Sequence, residues 1–130
     1  MVLVDTSVWI ETFRAGAKWR LEDVVDLDEV AICPPIVQEI LQGLRDERAF
    51  SSARVALLSL PMVESPMPAA VFVQAAELFR AARRAGLTVR SSVDCLIATC
   101  ALRHGLVVLH RDRDFDVLAR VSPLVVRSVR

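Results

Sequence analysis

The chain alternates short, wholly apolar runs with longer stretches whose apolar residues recur at helical spacing. Residues 2–4 form the first run, and Asp5-Thr6-Ser7 behind it supplies a helix cap ahead of Val8 to Phe13. The pattern predicts a polar helix over 19–27 and a second buried strand at 30–32. A helix opened by Pro34-Pro35 is expected to run to about Leu44, since proline is tolerated in a first turn. Further helices are predicted over 48–59, over 68–85 and from Ser92 to about His104, the last two each stopped by a glycine, Gly86 and Gly105. A short strand is expected at 62–64, a third clear strand at 106–109, a short helix at 115–120 and a last strand at 124–127. Strands this short and apolar, alternating with helices, predict an α/β fold with a mainly parallel sheet. Ligands of such sheets bind beyond the carboxyl ends of the strands, so chemistry is to be sought there.

Composition narrows the setting. A chain of 130 residues has room for one domain, 1–130, and a hydrophobic content of 54% excludes disorder. No apolar stretch approaches the ~18 residues needed to cross a bilayer. Asp5 follows Met1 too closely for a signal peptide, so no membrane association and a cytoplasmic location are expected. Cys33, Cys95 and Cys100 are odd in number and lack CxxC spacing, which predicts small buried hydrophobes and neither bridges nor zinc ligands. The net charge is zero, but of the 16 basic residues only Lys18 is lysine. Arginine suits phosphate forks and stacking on bases. Codon bias explains the same enrichment, so charge alone decides nothing.

The acids change the picture more. Asp5 directly follows the first predicted strand, Asp112 and Asp114 follow the strand at 106–109, and Asp94 sits in the first turn of the helix beginning near Ser92. Parallel topology gathers such positions at one edge of the sheet. Each has a structural explanation of its own. Asp5 and Asp114 sit where helix caps belong, and Asp94 completes an S-x-x-D box with Ser91. Capping accounts for each acid separately and gives no reason for all of them to meet. Glu39 lies beside, not within, the apolar stripe of its helix at about 100° per residue, and spacing alone reads it as a solvated glutamate.

The segments VLVDTSVWIE, PPIVQEILQGL, RSSVDCLIATCAL and VVLHRDRDFDVLA, in that order over nearly the whole chain, resemble a PIN domain of the VapC type. The resemblance implies a three-layer α/β/α fold whose short, mainly parallel central sheet is surrounded by helices. It also implies an acidic quartet of Asp5, Glu39, Asp94 and Asp112, with Asp114 as an alternative ligand two residues beyond the fourth acid. Thr6 and Ser7 match the family's hydroxyl positions, where they would orient Asp5 or a water. Many relatives have threonine or serine two places before the fourth acid, where this chain has His110.

Clustered carboxylates repel one another, and a divalent cation relieves that repulsion. Oxygen donors without thiolate or imidazole suit magnesium or manganese. The resemblance therefore implies a metal-dependent endoribonuclease in which a metal-activated water attacks the phosphodiester, leaving 5′-phosphate and 3′-hydroxyl ends. No serine, cysteine or histidine is placed for a nucleophilic triad. Arg84 and Arg90 precede Asp94, and Arg111 and Arg113 flank Asp112, so all four are candidates for holding the RNA backbone. For Arg80, Arg83 and Arg84 the alternative is a merely solvated helix face. Trp9 and Trp19 are candidates for stacking on bases, with Trp9 better read as core.

Further implied are the role of toxin in a type II toxin–antitoxin pair, a VapB-like antitoxin, a homodimer, and a structured substrate such as transfer RNA or a ribosomal RNA loop. Alternatives are a housekeeping PIN ribonuclease and an inactive PIN-fold binding module. A phospho-receiver domain also gathers acids around magnesium, but it needs a late lysine, and Lys18 lies far too early. A D-x-D phosphatase is disfavoured because the first strand is followed by D-T-S.

Overall fold

Val2–Val4 (β1) is buried at every position, as a strand covered on both faces requires. The computed structural model describes residues 1–14 and 16–129. β1 is followed by Thr6–Phe13 (α1), Val30–Ala31 (β2), Pro34–Gln42 (α2), Glu47–Leu58 (α3), Ala69–Arg84 (α4), Ser92–His104 (α5), Val107–His110 (β3), Arg113–Arg120 (α6) and Val126–Ser128 (β4). The four strands form one sheet in the order β2-β1-β3-β4, and every pairing is parallel. Among the described residues six α-helices flank it, giving the expected α/β/α arrangement. The chain leaves β1 toward β2 and later returns on the other side to form β3. That reversal opens a crevice at the carboxyl ends of β1 and β3. The Asp5 N–H donates to the Leu109 carbonyl at 2.9 Å and holds the two ends together.

Leu3, Val4, Ile32, Ile97, Leu109 and Phe115 are among the fully buried side chains of the core. Gly105 ends α5 in the left-handed region at φ +64°, as a C-cap glycine does. All three cysteines are free and buried, in line with their reading as small hydrophobes. The thiols of Cys33 and Cys100 meet, and that contact with burial pushes Cys33 well above the usual thiol range. Among the described residues no helix is long and apolar enough to cross a membrane.

Three local expectations need correction. The helix expected over 19–27 is two 3-10 turns, Leu21–Asp23 and Leu27–Glu29. The Asp23 carboxylate accepts the Arg20 N–H and the Asp26 carboxylate accepts the Asp28 N–H, bonds that compete with a continuing helix. The strand expected at 62–64 is a single bridge from Met62 to Ile32. It ends because Glu64 adopts φ +58°, with its carboxylate bound to Arg103 and His104 of α5. The last strand is 126–128 instead of 124–127.

Candidate active site

Asp5 ends β1 and caps α1. Its Oδ2 accepts both the backbone N–H of Ser7, at 3.0 Å, and the Ser7 hydroxyl. Its Oδ1 is buried with no partner. Capping therefore uses one oxygen and leaves the other for something else. Ser7 Oγ also accepts the Arg111 N–H at 3.0 Å, so one hydroxyl ties Asp5 to the loop after β3. Thr6 serves a different acid. Its hydroxyl donates to Glu39 Oε1 at 2.8 Å, across 33 residues of sequence. This contact turns the half-buried Glu39 toward the crevice, where the charges of Asp5 and Asp112 reach it.

Asp94 lies in the first turn of α5 and is buried. The box expected between Ser91 and Asp94 does not form, because the Ser91 side chain makes no cap bond. The Arg90 and Ser91 N–H groups instead donate to Asp114 Oδ2 at 3.0 and 3.1 Å. Asp114 thus anchors the start of the helix that carries Asp94. It does not cap α6. Asp112 does so, accepting the Asp114 N–H on Oδ1 at 2.9 Å. One carboxylate oxygen from each of Asp94, Asp112 and Asp114 lies within 4.8 Å of the others.

Electrostatics record the crowding. Burial raises the Asp94 carboxyl to about 8, with the charges of Asp5, Asp112 and Asp114 adding to it. Burial also raises Asp5, against the Ser7 bonds that lower it. Glu39 is raised by burial and by Asp5 and Asp112, against the Thr6 hydrogen bond. Buried Asp5 Oδ1 and Asp94 Oδ2 lack hydrogen-bond partners, which is costly unless something positive joins them, whereas Asp114 Oδ1 has the Arg90 guanidinium beside it at 3.6 Å. An all-oxygen donor set with orphaned buried oxygens fits a hard divalent cation.

A prediction on pH follows. These carboxyls hold protons more tightly in the folded chain than in the unfolded one. The stability they contribute is complete below the ordinary carboxylate range, about 4, and is lost as pH rises through their folded values. In EDTA, the thermal midpoint should fall between pH 5 and pH 8.5, the upper part of that window being set by Asp94 near 8. Added Mn2+ should raise the midpoint far more at pH 8.5 than at pH 5. A flat profile in calorimetry, insensitive to metal, would show that the carboxyls are not strained.

The arginines divide. Arg90 Nη2 reaches Asp112 Oδ1 at 3.5 Å and Arg90 Nε reaches Asp114 Oδ1 at 3.6 Å. Arg111 is bound to Glu11 at 2.7 Å. Arg113 is exposed at the start of α6. Arg84 does not meet the acids, lining instead a groove between α4 and α5 with Gln74, Glu77 and Thr99. Trp9 is core, stacked on Phe13, and Trp19 packs partly buried against the core. The Thr6–Glu39 bond, the Arg90–Asp114 contact and the Glu11 partner of Arg111 have no signal in local spacing, because each joins residues far apart in the chain.

Comparison with known proteins bears on the family and the fold. The PIN domain model matches residues 2–121. Ribonuclease VapC11 of Mycobacterium tuberculosis is 44% identical over 135 aligned positions, covering all of both chains. Among solved structures, VapBC2 from Rickettsia felis bound to a promoter DNA fragment superposes with a TM-score of 0.78 at 17% identity over all of both chains. VapBC-5 of M. tuberculosis, from the VapBC family of toxin-antitoxin systems, does so with a TM-score of 0.66 at 21% identity, covering 99% of this chain and 97% of that one. The structural likenesses speak for the fold, and the full-length identity goes further: the chain belongs to the PIN-domain family, among its VapC ribonucleases.

Proposed function

We propose that the protein is a magnesium- or manganese-dependent endoribonuclease, one domain over 1–130, acting in the cytoplasm as the toxin of a type II toxin–antitoxin pair on structured RNA, with transfer RNA as the preferred class. The observation that carries this reading is the set of buried, unpartnered carboxylate oxygens at the β1–β3 crevice. The full-length relative named a ribonuclease supports it.

Asp5 and Asp94 would hold the ion, with Glu39 and Asp112 binding directly or through water. When bound, the ion lowers the pKa of a water and offsets charge on the phosphoryl group. The chain's own residues prepare the rest. Ser7 fixes Asp5, Thr6 fixes one oxygen of Glu39, and Asp114 fixes the helix start that presents Asp94. Glu39 is half-buried, has a raised pKa and keeps Oε2 clear of Thr6, so it is the carboxylate suited to accept the proton of the attacking water.

Arg113 and Arg111 would meet the RNA backbone, unequally. Arg113→Ala is expected to weaken RNA binding and reduce the slope of log affinity against log salt by about one. Arg111→Ala should change that slope less, since its guanidinium already faces Glu11. Equal slopes for both variants and wild type in a salt titration would return both residues to the solvated surface.

Two apolar surfaces suit the proposed partners. A cavity of about 740 Å³ lined by Trp9, Phe13, Leu21, Leu44 and Leu57 would seat the apolar face of an antitoxin helix. Exposed Phe72 and Val73 on α4, beside a groove lined by Phe79 and Leu96, would meet a second copy. The toxin role is tested by inducing the chain in a bacterium. Growth arrest with transfer RNA fragments bearing 5′-phosphates is expected, relieved by its co-expressed antitoxin. Unimpeded growth with intact RNA and abundant folded protein would contradict it.

A further inference from the structure

His110 is not used by the proposed nuclease chemistry. It closes β3 with its side chain about 1% exposed. The ring leans on Phe115, with centroids 5.4 Å apart. Nδ1 accepts the backbone N–H of Asp112 at 3.2 Å. Nε2 has no hydrogen-bond partner and faces Asp116 Oδ1 at 3.4 Å. An acceptor at Nδ1 settles the tautomer of the neutral ring, which must carry its proton on Nε2.

A side-chain acceptor on one residue taking the N–H two residues on is the bond of an Asx turn, and serine and threonine make it with their hydroxyls. Imidazole Nδ1 is separated from Cα by the same number of bonds as the Asn Oδ1 that makes this turn. We infer that His110 is a positioning residue for the candidate metal centre, its ring nitrogen pinning the Asp112 backbone as the acceptor of an Asx-like turn. Asp112 is then held on two sides. Its N–H is taken by His110, and its Oδ1 is taken by the Asp114 N–H and approached by Arg90. Only the remaining oxygen is left to turn into the crevice.

The competing account is that His110 merely fills space against Phe115. Two variants separate the readings, because both lose the ring. His110→Asn keeps an acceptor at the δ position, and His110→Gln moves it one bond further out. Space-filling predicts more damage in His110→Asn, whose smaller side chain leaves the larger void. Positioning predicts the reverse order, read as metal affinity.

The inference rests on the metal-centre reading, so the test has an arm that does not. Nitrogen-15 NMR of the wild-type protein should show His110 as the Nε2–H tautomer near neutral pH. The His110→Asn spectrum, which retains only His104 of the two histidines, assigns the signal. In Mn2+ titrations followed by electron paramagnetic resonance, His110→Asn should bind within about threefold of wild type. His110→Gln should bind at least about tenfold more weakly, the scale found when a residue supporting a metal ligand is lost. An Nδ1–H tautomer, or Mn2+ binding weakened in His110→Asn as much as in His110→Gln or more, would overturn the inference alone. A wild-type protein that binds no Mn2+ while showing the Nε2–H tautomer would overturn the metal-centre reading, and the positioning role with it.

Discussion

Asp94→Asn is expected to lower RNA cleavage by at least about a hundredfold while making the metal-free protein more stable. The activity loss should exceed the 10–100-fold that typically follows damage to a residue merely supporting a ligand, since Asp94 itself is proposed to bind the ion. The gain in stability has a separate cause. Asp94 is buried among Asp5, Asp112 and Asp114, and its charged form is disfavoured up to about pH 8. An amide of the same shape carries no charge to desolvate, and its NH2 group can donate to the neighbouring carboxylates. Removing the charge removes that desolvation and repulsion cost, which a carboxyl with a raised folded pKa carries in full at higher pH. At pH 8 in EDTA the thermal midpoint should therefore rise by on the order of 5 °C. Mn2+ should stabilise the wild type and leave the variant almost unmoved. Cleavage at the wild-type rate would sink the assignment of Asp94. A lower midpoint without metal would show that the carboxylate makes a favourable contact that the structure does not contain.

Asp114→Ala is expected to be among the most damaging single changes for the fold, costing about 2–4 kcal/mol. The buried carboxylate accepts two part-buried backbone N–H groups at the start of α5, and alanine leaves both without their protein partner, at about 1–2 kcal/mol each, toward the lower end for a lost partner because water reaches them. Asp114→Asn retains an oxygen that can accept the same two bonds. It should recover at least half of the lost stability and keep measurable cleavage. Asp112→Asn should behave in the opposite way, folding well while cleaving poorly. Urea denaturation and initial cleavage rates on the three variants test this contrast between an anchoring acid and a proposed metal-binding acid. If Asp114→Asn is as inactive as Asp112→Asn while fully folded, both acids belong to the metal set.

The sheet was readable from sequence because β1 and β3 are buried on both faces, and such strands must be apolar throughout. Position relative to those strands then pointed to Asp5 and to the pair Asp112 and Asp114, and only the family resemblance singled out Asp112 as the fourth acid. Legibility stopped where side chains compete with the backbone. Asp23 and Asp26 turn an apparent helix into two short turns, and the left-handed Glu64 cuts a strand to one bridge. The same limit hid which aspartate caps α6, since Asp112 and Asp114 are equally plausible by spacing. Glu39 was legible only through family resemblance. Its helical position is that of a solvated residue, and the Thr6 hydroxyl that turns it inward lies 33 residues away. Long-range pairs such as Arg90 with Asp114 leave no local trace.

The central claim is that the acids at the β1–β3 crevice form a divalent-metal site that cleaves RNA. Its most direct test is incubation of the purified, antitoxin-free protein with total bacterial RNA in Mg2+, in Mn2+ and in EDTA, with fragment ends mapped by sequencing. Discrete fragments with 5′-phosphate and 3′-hydroxyl ends are expected in both metals and none in EDTA. Cleavage that persists undiminished in EDTA, or fragments ending in 2′,3′-cyclic phosphate, would contradict it.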